Sequence, residues 1–479
     1  MRAARVSPPA DDGAVILPLP PPADDPGLLS AAQTSLLIDR YELTMAASYL
    51  QRGMNQPAIF ELFVRELPAE RDWLLLAGLG PALRLVAEMR FADAELGYLE
   101  TLGFRPALLR YLEQFRFSGR IDAIPEGTVV FAGEPLVRVT APRIEAQLLE
   151  TLLLNQISFQ TSIATKAARI VLAAGGGEPG AGEHVVDFSP RRDHGVDAAM
   201  KAARAAAIAG VRGTSNVAAA MRYGMTPVGT MAHSYVMSFA DEQEAFEAFM
   251  QDMPENTILL VDTYDTLDGV RHAIAAAHRT GLALRGVRLD SGDLLALSRA
   301  TRRLLDEAGM RNAAIVASGD LEELQIARLV AAGAPIDTWG VGTELGTSRD
   351  APALGGVYKL VADATAGVSG WRPVSKCSPA KATIPGPKQV FRRFRAGTMV
   401  GDLVVQASER RAGVPLLERF VQDGELVRRE ALDALRARAL EGLGALPARL
   451  RRPRLRAPAR YPVTYSERLR HLSPAGGEG

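Results

Sequence analysis

Two hydrophobic rhythms divide the chain. Between residues 145 and about 174, apolar side chains recur at Leu148, Leu149, Leu152, Leu153, Ile157, Ala164, Ala167 and Val171. That spacing predicts a long helix with one buried stripe. The run "GGGEPGAG" ends it and reads as a loop. Short apolar runs then take over: "HVVDF", "TPVGT", "TILLVD", "LRGVRLD", "AIVASG" and "DTWGVG". Helical patterns lie between and after them, over residues 197–209, 215–222, 242–250, 268–277, 293–307 and 321–331. Alternating strand and helix implies parallel strands joined by right-handed crossovers. Six or seven such units in this space favour a barrel over an open sheet.

The flanks differ. Upstream, "LLIDRYELTMAASYLQRG" has helical spacing and a stop at Gly53. "FRFSGRIDAIPEGTVVFAGEPLVRVTAP" reads as short antiparallel strands with Pro- and Gly-containing turns. From about Trp371 strands and Pro-rich turns return, so the chain is expected to rejoin its first domain there. The overall class is α/β.

Composition narrows the partners. Lys plus Arg and Asp plus Glu balance at 55 each, so no global charge points to nucleic acid or a membrane surface. No apolar run approaches the ~20 residues of a membrane helix. Cys377 is the one cysteine; that excludes an intrachain disulfide framework and fits a reducing, cytoplasmic compartment. Residues 1–30 are rich in Pro and Asp and lack a signal-peptide core, so a disordered leader is expected. The Arg-rich "ARLRRPRLRAPAR" is a solvated tail or a phosphate or subunit contact.

In a barrel, reactive groups gather at the C-terminal strand ends. Here those ends carry Asp187 and Phe188, Thr230 and His233, Asp262 and Thr263, Arg288 and Asp290, Ser318 and Gly319, and Gly342 and Thr343. "LDSGD", "VASGD" and "WGVGTEL" are glycine-containing turns whose N–H groups can approach phosphate oxygens. Ser318 and Thr343 suit phosphate; Asp290 suits ribose hydroxyls or a divalent ion. Phe188 can stack on a planar ring beside Arg191 and Arg192, or be a core residue beside two solvated arginines. His233 is either structural or a base or nucleophile that Asp262 orients. Lys166 is a solvated helix lysine by default, and a phosphate contact otherwise.

Together, "LLIDRYELTMAASY", "NQISFQTSIATKAAR", "GTSNVAAAMRYGMTPVGTMAHSY", "LVDTYDT", "GVRLDSGDL" and "KATIPGPKQVFR" resemble the nicotinate phosphoribosyltransferase family. The resemblance implies an irregular (β/α) barrel of the type II phosphoribosyltransferase kind, plus an α/β sandwich built from both chain ends. On that basis residues 31–155 and 371–462 form the sandwich, 156–370 the barrel and 463–479 a tail. It implies transfer of phosphoribosyl from 5-phosphoribosyl-1-pyrophosphate to nicotinate, with Mg²⁺, and with ATP hydrolysis coupled through a phosphorylated histidine. His233 is similar to that histidine and Asp262 to its carboxylate partner. Phe188 and Tyr41 look like the two faces of a ring clamp, Tyr41 supplied across a homodimer interface. Arg191, Arg288, Ser215 and Lys166 look like substrate contacts, Asp290 like the ribose carboxylate, and Ser318, Gly319, Gly342 and Thr343 like the phosphate cradle. Ile38 and Arg40 depart from the family's usual "LLTDLY". The nicotinamide-using relatives carry aspartate where this chain has Ser215, which can donate to a carboxylate. A barrel-type sugar-phosphate lyase using Lys166 as a Schiff base is the rival from another class.

Overall fold

The computed structural model describes residues 31–364, 370–376, 383–452 and 460–472. The leader, Cys377, the middle of the Arg-rich segment and the last residues lie outside these.

Seven parallel strands form the barrel sheet, in the order Thr226–Pro227, Gly213–Thr214, Val185–Asp187, Thr338–Val341, Ala314–Ala317, Gly286–Leu289, Ile258–Leu260. Val287 pairs with Leu259 on one side and Ile315 on the other, so neighbouring strands end level. All three side chains are fully buried, as expected for a parallel sheet covered on both faces. The sheet is curled and left open between its edge strands. Side chains span the gap: Asn256 Nδ2 donates to the Gly229 carbonyl at 2.8 Å, and His233 Nδ1 lies 3.1 Å from Thr263 Oγ1. Gly213–Thr214 has no apolar run and was not among the strands expected from the pattern.

A second, antiparallel sheet draws on both ends of the chain. Pro57–Val64, Pro135–Pro142 and Arg120–Ala123 come from before the barrel; Gly356–Ala364, Trp371–Pro373, Glu418–Gln422 and Glu425–Leu426 come from after it. Gly356–Ala364 pairs with Pro57–Val64, so the chain rejoins this sheet one strand before the expected Trp371. Val463–Tyr465 likewise pairs with Thr398–Gln406 rather than starting a free tail.

The long helix is two, Arg143–Gln147 and Glu150–Ala174. The expected boundary at residue 155 falls inside the second. Instead of one stripe, every residue from 160 to 173 is buried. Leu152, Leu153 and Ile157 join the core under the antiparallel sheet, and Ile163 to Ala173 join the barrel core. The helix is wedged between two cores, so all its faces need partners. Its hydroxyls have them: Thr161 and Thr165 accept the N–H groups of Ala77 and Leu75 at 3.1 and 2.9 Å.

Candidate active site

The level strand ends bring one residue set to a common mouth. At the first, Asp187 is buried and accepts from Ser189 N, Ser189 Oγ and Thr214 Oγ1 at 2.9, 2.6 and 2.8 Å. Burial pushes its carboxyl up, and those hydrogen bonds offset part of the rise. They fix the turn that presents Phe188, whose N–H donates to the Val341 carbonyl at 2.8 Å. The ring lies directly against Gly340: a Cβ there would sit 2.5 Å from ring carbons. A glycine inside a strand marks such a close approach, and "DTWGVG" carried that signal unread.

Arg288 also packs against the ring, its guanidinium carbon 5.4 Å from the ring centroid. The guanidinium donates to Ser318 Oγ at 2.8 Å and to Asp290 Oδ1 at 2.6 Å. Ser318 Oγ also donates to Asp290 Oδ1. Burial pushes the Asp290 carboxyl up, but the hydrogen bonds from Ser318 and Arg288 outweigh it and hold the group below the usual carboxylate range. Ser318 is thus committed to wiring Arg288 to Asp290 rather than free to face phosphate.

The expected His233–Asp262 pair does not form. His233 opens the short helix His233–Val236, and its Nδ1 meets Thr263 Oγ1. Asp262 Oδ2 instead accepts from Asp290 N at 3.0 Å and Ser291 Oγ at 2.7 Å. That clasps adjacent strand ends together. Asp262 Oδ1 is buried and has no hydrogen-bond partner among the described residues.

Gly319 has φ +84, and a Cβ there would lie 1.9 Å from the Asp290 carbonyl oxygen. No other residue fits that left-handed position without moving the strand that ends at Asp290. Gly342 precedes the short helix Thr343–Thr347. Ser215 N donates to the Asp187 carbonyl at 2.8 Å, which leaves its half-buried hydroxyl at the mouth. Arg191 is exposed on the same rim. Asp193, two positions on, lies against Gly346; burial and the nearby Asp187 push it up to about 6.

Two expected residues lie elsewhere. Tyr41, 46% exposed, sits on the helix Arg40–Gln51 beside Glu150, and no ring contact joins it to Phe188 among the described residues. Lys166 is neither solvated nor at the mouth. Its side chain is 1% exposed and meets Glu323, Asp350 and Glu344 at 2.7, 3.0 and 3.2 Å. Those carboxylates outweigh burial and keep the amine protonated. A protonated, enclosed amine cannot attack a carbonyl, which removes the Schiff-base lyase.

Residues 36–158 match the nicotinate phosphoribosyltransferase (NAPRTase) N-terminal domain, and residues 184–323 the nicotinate phosphoribosyltransferase (NAPRTase) family. The nicotinate phosphoribosyltransferase pncB2 of Mycobacterium tuberculosis is 47% identical over 440 residues, covering 91% of this chain and 92% of that protein.

The chain belongs to the nicotinate phosphoribosyltransferase family.

The human nicotinate phosphoribosyltransferase is 32% identical, over 92% of this chain and 96% of that one. A crystal structure of human nicotinic acid phosphoribosyltransferase superposes with a TM-score of 0.77 at 29% identity, over 91% of this chain and 99% of that one. The nicotinate-nucleotide pyrophosphorylase of Pyrococcus furiosus superposes at 0.68, with 25% identity over 85% and 94%. Among the described residues, no helix is long and apolar enough to cross a membrane.

Proposed function

We propose that the protein transfers phosphoribosyl from 5-phosphoribosyl-1-pyrophosphate to nicotinate in the cytoplasm, releasing pyrophosphate and coupling the step to ATP hydrolysis. The observation that carries this reading is Arg288, held between the Phe188 ring and Asp290. A planar, anionic ring needs an aromatic face and a cation side by side, and a ribose diol needs a carboxylate acceptor. Arg191 adds a second cation at the rim.

As the glycosidic C–O bond breaks, positive charge builds on the ribose. Asp290, kept ionised by Ser318 and Arg288, stabilises that charge more than it stabilises the ground state. Gly319, Gly342 and Thr343 offer backbone N–H groups to the 5-phosphate. Mg²⁺ fits Asp262 and Asp290, since Asp262 has an unpartnered oxygen and this ion usually takes one or two carboxylates plus substrate phosphates. Bound there, it would neutralise charge on the pyrophosphate leaving group. His233 is the phosphoryl acceptor from ATP.

A homodimer completes the site in this reading. Val217, Met221, Met237 and Tyr264 stand exposed around the mouth, Met221 at 85%. Apolar side chains clustered in this way mark an interaction surface. A second copy seated there would bring its Tyr41 to the ring clamp. Sedimentation equilibrium at the monomer mass under assay conditions would count against it.

Ser215 tests the choice of acid over amide. Its hydroxyl donates to a carboxylate, a charge-assisted bond of roughly 1.5–3 kcal/mol. Ser215→Asp is expected to cut the nicotinate-over-nicotinamide preference in kcat/KM by about 10–100-fold. An unchanged ratio would remove Ser215 from substrate selection.

A further inference from the structure

Seen from the central helix, the mouth rests on a buried ionic network whose partners are drawn from four parts of the chain. Ser162, Lys166 and Arg169 share one face of Glu150–Ala174, at spacings of four and three. Lys166 Nζ touches three carboxylates. Glu323 opens the helix Glu323–Ala331, just after the Gly319 turn. Glu344 belongs to Thr343–Thr347, and Asp350 to the turn that follows. Arg169 Nε holds the other oxygen of Glu323 at 2.7 Å. Arg71 holds Asp350 and, at 3.1 Å, Ser348 Oγ. Ser162 Oγ also reaches Ser348 Oγ, at 3.1 Å. Ser348 adopts φ +45, a left-handed conformation that costs a non-glycine residue energy and persists only when its surroundings hold it.

We infer that Lys166 is a positioning residue that sets the spacing between the two segments of the phosphate cradle, the Gly319 turn and the Gly342–Thr343 turn. This rests on the reading that those turns hold the donor's phosphate. Of the three enclosed cations in the network, Lys166 alone contacts a carboxylate from each segment's continuation and also Glu344, the residue next to Thr343. Arg169 reaches only the Glu323 side. Arg71 bonds the Asp350 side and lies 3.9 Å from Glu323, too far for a hydrogen bond. Three enclosed cations, joined from the surface by the exposed Arg349 on Glu344 at 3.3 Å, face three carboxylates, and Lys166, Arg71 and Glu323 are at most 2% exposed. Buried ion networks add little net stability compared with apolar packing of the same volume. What they supply is a fixed geometry, because each charge left unpaired would be costly. Here that geometry is the distance between two sets of backbone N–H donors that must meet one phosphate.

The test uses steady-state kinetics and calorimetric binding of 5-phosphoribosyl-1-pyrophosphate to the full chain. Lys166→Met is expected to raise KM for the donor about tenfold or more while KM for nicotinate stays within about twofold. Glu344→Gln severs the same strut without removing the buried lysine, and reports even if Lys166→Met folds poorly. It is expected to shift donor KM in the same direction by a smaller factor. In Lys166→Met/Glu344→Gln the loss should be less than the product of the two single losses, since each removes the other's unpaired charge. Equal losses for both substrates, or unchanged donor binding in both single variants, would overturn the inference. Gly319→Ala separates the two levels. If it weakens donor binding while Lys166→Met and Glu344→Gln do not, the cradle stands and the role of Lys166 is wrong. If it leaves donor binding intact, the cradle reading and the inference both fall.

Discussion

Arg288→Ala is expected to lower kcat/KM for nicotinate by about three orders of magnitude, equivalent to ~4 kcal/mol. The side chain stacks on Phe188, donates to Ser318 and pairs with Asp290. Truncating one partner of a buried, hydrogen-bonded charge pair costs roughly 2–5 kcal/mol, much of it from the partner left unpaired. Here that partner is Asp290, so both substrates suffer: nicotinate loses its cation and the ribose faces a carboxylate whose proton affinity has risen. The pH dependence has a definite sign. In the parent, Asp290 is held below its ordinary range. It therefore contributes stability above its unfolded value that is lost as pH falls through its lower folded value. The variant lacks that increment, so the Tm gap between parent and variant should narrow below about pH 4. A variant that keeps kcat/KM within about tenfold of the parent would place nicotinate recognition elsewhere.

His233→Ala is expected to abolish ATP hydrolysis and leave only slow, ATP-independent transfer. The imidazole stands at the edge of the open barrel, with Nδ1 on Thr263 and no hydrogen bond to a carboxylate among the described residues. Asp262, already clasping Asp290 and Ser291, does not orient it. Thr263→Val should therefore slow phosphorylation of the ring more than Asp262→Asn does, whereas Asp262→Asn should weaken pyrophosphate binding. Phosphorylation can raise the transfer rate only by favouring the transition state or a binding-competent conformation over the ground state. Acid-labile ³²P from γ-labelled ATP reads the step directly. Label retained by His233→Ala, with hydrolysis still in step with product, would assign the acceptor to another residue.

Much of this was legible in the sequence because parallel strands end level. An apolar run followed by a charged or glycine-containing turn places its polar residues at the mouth without any knowledge of packing. Arg288 and Asp290 followed from that alone, whereas Phe188 stayed open between a stacking and a core residue. Gly213–Thr214 escaped because a two-residue strand carries no periodicity, and its place is set by the hydrogen bonds of Val185–Asp187. The environment of Lys166 was illegible for a different reason. Its partners lie far downstream, and nothing local says that a helix lysine will be enclosed. A trace existed in the spacing of Ser162, Lys166 and Arg169, which puts all three on one face of the helix. His233 shows the limit of pairing neighbours by strand order. Asp262 and Thr263 occupy the same strand end, and which one meets the ring depends on side-chain direction that no pattern reveals.

The central claim is that this mouth joins nicotinate to a phosphoribosyl group. The most direct measurement incubates the protein with labelled nicotinate, 5-phosphoribosyl-1-pyrophosphate and Mg²⁺, with and without ATP, and follows nicotinate mononucleotide and pyrophosphate. The account predicts both products in equal amounts, a faster rate with ATP, and a much lower kcat/KM when nicotinamide replaces nicotinate. No mononucleotide under either condition, or a higher kcat/KM for nicotinamide, would contradict it.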